Sequence, residues 1–192
     1  MTDIGTRLAR IEARQAIGQL PIRYAIAVDT RNLDDWVDLF VPDVDMGRHG
    51  RGREALRAYI EPQLRWFYRS IHQICGHAFD FSDADHASGH VYCRAEHEEA
   101  GCWIVMAICY FDDYVRKDGR WYFARRREKH WYAADVLERP SAPFNAWPGR
   151  DLPPALPAAF PSWASFWSRL GEGHIDRLTD LPAPAARGPD RD

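Results

Sequence analysis

The chain has 192 residues, 46% of them hydrophobic and 13% aromatic, and a formal net charge of −3. This length suits one domain with a sizeable core, and the small negative charge excludes a global attraction to nucleic acid or to an anionic membrane. The 8 Trp, 8 Tyr and 9 Phe could line a pocket for a flat apolar ligand, although core packing explains any single one of them.

The first third of the sequence predicts three helices. Apolar residues fall at helical spacing from about Thr6 to Thr30, and Pro21 predicts a kink or a break in this helix. In "NLDDWVDLF", Asn32 is placed to cap a second helix. The stretch "VPDVDMGRHGRG" indicates a short strand and a Gly-rich loop before a third helix, over roughly residues 53–68.

The middle of the sequence changes to the period of β-strands. Four segments alternate in this way, and "KDG" supplies the turn of a long hairpin between the last two. Helices followed by antiparallel strands predict an α+β fold, with the helices packed on one face of a curved sheet.

A Pro-rich segment follows the last predicted strand. It leads into "SWASFWSRL", where Ser162 can cap a short helix whose Trp163, Phe166, Trp167 and Leu170 share one face. We expect a domain over residues 1–135, an extension over 136–170 whose helix docks on the domain or on a second subunit, and a disordered tail over 171–192.

Cysteine usage and apolar runs predict the compartment. The four cysteines lie in apolar or strand-like runs without a CxxC pair, and we expect them to be reduced and buried. The N-terminal segment has charges throughout and no apolar core of a signal peptide, and the longest apolar run is half of what a membrane helix requires. We therefore expect a cytoplasmic protein.

Asp29 and His72 are the main candidates for chemistry. Asp29 falls at the end of the first predicted helix, where the helix dipole disfavours a carboxylate and a nearby imidazolium would compensate. His72 lies in the strand-like "SIHQICGH", and histidine is the side-chain type that can accept a proton under physiological conditions. A carboxylate partner would hold one ring nitrogen as N–H and leave the other as a proton acceptor. Each residue also has an ordinary structural role, as a solvated turn residue or a core histidine.

Tyr24 is a third candidate, five residues before Asp29. This spacing turns the two side chains about 140° apart on an ideal helix, but both could reach a cavity at its end. A phenol there could donate to a developing oxyanion, and core packing is an equally good explanation.

Metal and nucleotide sites are weaker interpretations of the same residues. His72 and His77 are an odd number of residues apart, which predicts opposite faces of a strand, and His86 and His90 lie where a turn enters a strand. The stretch "GRHGRGRE" lacks the strand-before, helix-after pattern of a phosphate loop. We expect no metal and no cofactor.

The segment "ARQAIGQLPIRYAIAVDTRNLDDWVDLFVPDV" resembles the opening of SnoaL-like domains, in the scytalone dehydratase and nuclear-transport-factor-like (cystatin-like) superfamily. "SIHQICGH" resembles the strand with their catalytic histidine, and "YFDDYVRKDGRWYFARRREKHWY" their closing hairpin. The resemblance covers roughly residues 8–133 and implies a cone-shaped α+β barrel. In its lyases an Asp–His dyad removes a carbon-bound proton without metal or coenzyme. By position the dyad corresponds to Asp29 and His72, and the bile-acid dehydratase also has a tyrosine where Tyr24 stands.

The candidates for substrate binding come from positions where the chain departs from that pattern or could face a pocket. The last strand places Arg125, Arg127 and Lys129 on one face and Arg126, Glu128 and His130 on the other, and the sequence does not decide which face is inside. A cation in the pocket would suit a carboxylate, phenolate or enolate. The candidates are Arg48, His49, Arg127, His130 and Trp66.

The resemblance, with these residues, implies a cofactor-independent lyase in aromatic compound catabolism. It would expel water, halide or, by retro-aldol cleavage, a small carbonyl fragment from an aromatic or polycyclic molecule. The alternatives are a ketosteroid-isomerase-like isomerase or polyketide cyclase, and a non-catalytic subunit like the small subunit of ring-hydroxylating oxygenases. We expect a homo-oligomer, a dimer or trimer, with no nucleic-acid or membrane partner.

Overall fold

The computed structural model describes residues 3–99, 101–137, 155–156 and 158–167. The chain forms two compact units, Met1–Ala155 and Leu156–Asp192. In the second unit the described residues form a short helix, Pro161–Trp167. Leu170 and the predicted tail lie outside the described residues, and the docking of this helix stays a prediction.

The first unit opens with three helices, α1 (Ile4–Asp29), α2 (Leu33–Asp38) and α3 (Arg53–Leu64), with a 3₁₀ helix (Gly47–His49) before α3. As predicted, the Asn32 side chain caps α2, accepting the backbone N–H of Asp35 at 3.1 Å. Helix α3 ends at Leu64, four residues earlier than predicted. The predicted short strand before the Gly-rich loop is reduced to isolated bridges at Phe40 and Asp45.

Helix α1 continues through Pro21 as one helix. Of the two predicted outcomes, a kink or a break, the break is therefore wrong. A proline inside a helix costs about 3 kcal/mol through a lost hydrogen bond and a steric clash. The Pro21 ring is buried with Ile17, Leu20 and Ala25, and packing of this apolar face offsets that cost.

Four strands follow and form one sheet in which each pairs with the next, all antiparallel: β1 (Ser70–Phe81), β2 (His86–Glu99), β3 (Cys102–Lys117) and β4 (Arg120–Asp135). The predicted α+β architecture is confirmed. The β3–β4 turn has Asp118 at φ 52° and Gly119 at φ 78°, the left-handed pair of a type I′ hairpin, which matches the "KDG" prediction. The segment after α2 joins the sheet through Phe40, beside Phe123 of β4.

A β-bulge in β1 decides which side chains face inward. Ile74 pairs with Cys93 and Gly76 with Tyr92, so Cys75 is the extra residue. An extra residue shifts the inside–outside alternation by one. His72 and His77 therefore both lie on the partly buried inner face, and the predicted placement on opposite faces is wrong.

Within the described residues, the core consists of two apolar clusters, and two partly buried residues contact both of them. The first cluster packs α1, α2 and α3 against the β3–β4 end of the sheet, and the second covers the inner face of β2 and β3. The two residues that contact both clusters are Tyr24 and Phe67.

All four cysteines are free thiols. Cys93 and Cys109 are buried, but Cys75 in the bulge and Cys102 at the start of β3 are exposed. The expectation that all four are buried is therefore wrong for two of them.

No helix in the described part of the chain is long and apolar enough to cross a membrane.

Candidate active site

A cavity of ≈ 200 Å³ lies between the helices and the inner face of the sheet. Its apolar wall is formed by the aliphatic residues Val28, Ile60, Leu64, Met106 and Ile108 and by the aromatic residues Trp66 and Phe67. The polar side chains that reach it come from α1, α3 and all four strands. They include His72, whose side chain is only 7% exposed. Apolar walls with a few convergent polar groups are typical of small-molecule sites.

Asp29 and His72 meet at the edge of this cavity. Asp29 is the last residue of α1, and His72 lies three residues into β1, so a helix end and a strand start bring them together. Asp29 Oδ1 lies 2.7 Å from His72 Nδ1, and Oδ2 accepts the backbone N–H of His72 at 2.8 Å. The carboxylate therefore fixes both the ring and the strand that carries it.

A second layer of polar groups supports Asp29. Ser70 Oγ donates to Asp29 Oδ1 at 2.9 Å, and Arg31 Nη1 donates to Ser70 Oγ at 3.0 Å and to the carbonyl of Val28 at 2.6 Å. Burial alone would raise the pKa of Asp29, but the hydrogen bonds and the charge of His72, with the Ser70 bond, hold it below its usual range. The carboxylate thus stays ionised beside the imidazole.

Tyr24 lines the cavity, and its ring makes a cation–π contact with the buried guanidinium of Arg126. The guanidinium carbon of Arg126 lies 4.3 Å from the Tyr24 ring centroid, 4.1 Å from that of Tyr110 and 4.2 Å from that of Phe123. Burial raises the pKa of Tyr24, with Arg126 opposing the shift. Tyr24 is therefore a neutral phenol and a hydrogen-bond donor at physiological pH.

The inner face of β4 carries Arg126, Glu128 and His130, which the sequence left undecided. Arg126 is turned inward but donates to both oxygens of buried Asp112 of β3, at 2.8 and 2.7 Å, so its charge is neutralised within the core. Glu128 and His130 line the cavity, and Glu128 Oε1 lies 3.1 Å from His130 Nδ1.

His97 of β2 also lines the cavity, and the sequence analysis missed it. Its ring centroid lies 5.4 Å from that of His72. Burial, with repulsion from the charged form of His72, lowers the pKa of His97 to about 3. It is a neutral histidine beside the candidate base. The alternation of apolar Val91, Cys93 and Ala95 with polar residues along β2 places His97 on the inner face, and that pattern could have identified it.

The structure divides the candidates for substrate binding. Trp66 and His130 line the cavity. Arg48 and His49 are exposed in the 3₁₀ helix, where the His49 ring packs 4.7 Å from Tyr59, and they do not line it. Arg127 alternates with Glu128 along β4, so its side chain is on the opposite face of the sheet and lines a separate groove. The expectation that Arg127 faces the same pocket as His130 is therefore wrong.

Within the described residues, no group of three or more His, Cys, Asp or Glu side chains is arranged to hold a metal ion.

The sequence matches the family model of the SnoaL-like domain over residues 9–127. No curated protein matches. The chain is similar to the crystal structure of LinA, with 25% identity over 71% of this chain and 98% of that chain and a TM-score of 0.62.

Two further solved structures share the fold. A LinA-type3 hexachlorocyclohexane dehydrochlorinase from Novosphingobium barchaimii LL02 is 23% identical over 71% of this chain and 99% of that chain, with a TM-score of 0.62. A candidate scytalone dehydratase from Novosphingobium aromaticivorans is 23% identical over 68% of this chain and 92% of that chain, with a TM-score of 0.59.

Proposed function

This chain belongs to the SnoaL-like domain family, and we propose that it is a lyase that acts on a small aromatic or polycyclic molecule without a cofactor. The observation that carries the proposal is the Asp29–His72 pair at an apolar cavity. The chain is similar to LinA, and the LinA-type3 structure is named a hexachlorocyclohexane dehydrochlorinase. Dehydrochlorination is an elimination, so this similarity favours an elimination over a mass-conserving rearrangement.

His72 is the general base in this proposal. Its Nδ1–H donates to Asp29 Oδ1, so that Nε2 carries the lone pair. Nε2 takes a proton from a carbon next to a group that accepts electrons. The C–H electron pair forms the new double bond, and the leaving group departs with its own bonding pair. In a retro-aldol variant the proton comes from a hydroxyl and a C–C bond breaks instead.

Asp29 and Tyr24 have supporting roles. The ionised Asp29 stabilises His72 once the ring is protonated, because an opposite charge at 2.7 Å favours the imidazolium. Tyr24 donates its hydroxyl to the substrate oxygen that gains negative charge. The cavity of ≈ 200 Å³ is smaller than the roughly 300–1,000 Å³ of drug-sized ligand pockets, which favours a substrate with one or two rings inside it.

The base can be tested apart from the leaving group. We would incubate the full-length chain with 2-tetralone in D₂O and follow exchange of its acidic carbon-bound hydrogens by NMR. General-base catalysis contributes about 10²–10⁴-fold, so His72→Gln should lose that much of the exchange rate. His86→Gln is the matched control, because His86 pairs with Asp83 on the surface, where both side chains are 58% exposed. Exchange that survives His72→Gln would refute the role of the base.

The reaction type is tested by product mass. A thermal-shift screen of lignin-derived aromatics, steroids and chlorinated hydrocarbons selects ligands, since a ligand at 100 times its Kd stabilises a protein by about 2.7 kcal/mol. Ligands that are turned over then go to mass spectrometry. A lyase yields a product lighter by the lost group, whereas an isomerase or cyclase product of unchanged mass would contradict the proposal.

A further inference from the structure

The cavity contains a second histidine–carboxylate pair, Glu128–His130, on a different strand from the first. Alternate positions on β4 project both side chains to the same face, and both line the cavity with His72. His130 is almost fully buried, with a side chain 7% exposed, whereas Glu128 is 40% exposed. The pair therefore has an anchored ring and a carboxylate that extends toward the opening.

Glu128 sets the charge of the cavity wall. Among the described residues that line the cavity it is the only Asp, Glu, Lys or Arg. Asp29 adds a second negative charge directly behind His72. Arg126, which contacts the Tyr24 ring at 4.3 Å, offsets these charges only in part, because it makes two hydrogen bonds to Asp112, a carboxylate that is fully buried. The described residues that line the cavity include no Lys or Arg to bind a carboxylate ligand. The negative charges of Glu128 and Asp29 would therefore repel such a ligand.

We propose that Glu128, held in place by His130, binds a hydroxyl group of an uncharged substrate. The inference rests on the proposed function in taking this cavity as the substrate site, and it narrows the substrate to neutral, hydroxyl-bearing aromatic molecules. The ligand hydroxyl donates to the Glu128 carboxylate. Such a charge-assisted hydrogen bond is stronger than a neutral one, and an ether or a carboxylate at the same place cannot make it. His130 is a positioning residue whose contact with Oε1 at 3.1 Å orients the carboxylate.

The experiment uses the full-length chain and a matched set of two-ring probes: 2-naphthol, 2-methoxynaphthalene and 2-naphthoate. Dissociation constants are measured by calorimetry near pH 7.5 for the wild type, Glu128→Gln and Glu128→Leu. The wild type should bind 2-naphthol about tenfold to 100-fold more tightly than either other probe, the range expected for a hydrogen bond to a charged group.

The variants separate recognition from folding because the readout is a ratio of affinities. In Glu128→Leu the preference for 2-naphthol over the ether should fall to about one. In Glu128→Gln, which keeps an acceptor but loses the charge, 2-naphthoate should bind more tightly than it binds the wild type. Glu54→Leu removes an exposed glutamate of α3 that does not line the cavity and should leave every ratio unchanged. A variant that merely loosened the fold would weaken all probes together.

His72→Gln, measured with the same probes, distinguishes this inference from the proposed function. If the hydroxyl preference persists in His72→Gln and disappears in Glu128→Leu, the subsite lies at Glu128 whether or not His72 proves to be the base. If the preference disappears only in His72→Gln, the hydroxyl binds at the Asp29–His72 pair. That result would overturn the inference about Glu128 but not the proposed role of His72 as the general base. The inference is also overturned if 2-naphthoate binds the wild type as tightly as 2-naphthol, or if no probe binds.

Discussion

One carboxylate binds both the main chain and the ring of a single residue: Asp29 Oδ2 accepts the His72 backbone N–H at 2.8 Å, and Oδ1 lies 2.7 Å from His72 Nδ1. The end of α1 is thereby tied to β1 at the point where the candidate base leaves the sheet. Movement of Asp29 would displace the imidazole and the strand together.

Asp29→Asn tests this double role. The amide keeps the shape of the side chain but loses the charge, and its NH₂ group competes for the position that fixes the His72 tautomer. We expect the 2-tetralone exchange rate to fall about 10²–10⁴-fold. The matched variant Asp83→Asn, in the exposed Asp83–His86 pair, should leave the rate unchanged. Equal rates for Asp29→Asn and the wild type would show that the carboxylate does not assist the base.

Tyr24→Phe tests the phenol as a donor to developing negative charge. Removing one such donor costs about 10²–10³-fold in rate. The ring and its contact with the Arg126 guanidinium at 4.3 Å are retained, so we expect unfolding by urea to change little. Tyr59→Phe, on α3 and 40% exposed, is the control. An exchange rate in Tyr24→Phe like that of Tyr59→Phe would assign Tyr24 to packing alone.

His97 should make stability depend on pH. Its pKa is about 3 in the folded chain, because burial disfavours the charged ring, and about 6.5 when unfolded. Between these values the unfolded chain binds one more proton, so the free energy of unfolding falls as pH falls, by up to about 1.4 kcal/mol per pH unit. In His97→Phe this contribution to the slope should vanish in urea titrations between pH 7 and pH 4. An unchanged slope would contradict a neutral, buried His97.

The Arg126–Asp112 ion pair should be costly to break. Its side chains are 3% and 0% exposed, and removing one partner of such a pair leaves a buried charge, at a cost of about 3–5 kcal/mol. We expect that loss in the free energy of unfolding of Asp112→Asn. Arg116→Gln breaks a pair of similar length, to Asp85, with side chains 39% and 51% exposed, and should cost at most about 1 kcal/mol. Equal losses in the two variants would contradict the difference in burial.

Gly89 should be intolerant of any side chain. A Cβ there would lie 2.2 Å from the carbonyl oxygen of Ala78 and 2.4 Å from Cβ of Phe79, on the paired strand β1. We expect Gly89→Ala to lose about 1–3 kcal/mol of stability, as overpacking does. Gly18→Ala in α1, where a Cβ meets nothing within 4 Å, should instead gain about 0.5–1 kcal/mol. Calorimetric unfolding of both variants checks the contrast.

Local patterns in the sequence determined the elements of this fold. The cap at Asn32, the two-residue strand alternation and the Asp118–Gly119 turn act within a few residues, and the structure contains all of them. The placement of Asp29 at a helix end and of His72 on a strand follows from the same local rules.

The tertiary structure alone decided which of these side chains meet. On β4 both faces carry charged residues, so alternation could not show that Glu128 rather than Arg127 lines the cavity. The bulge at Cys75 changes the face of His77, and a bulge depends on pairing with β2, more than ten residues away along the chain. Burial of Pro21 within α1 likewise depends on the core packed against it. Each outcome is set by contacts between distant segments, and such contacts leave no periodic pattern in the sequence.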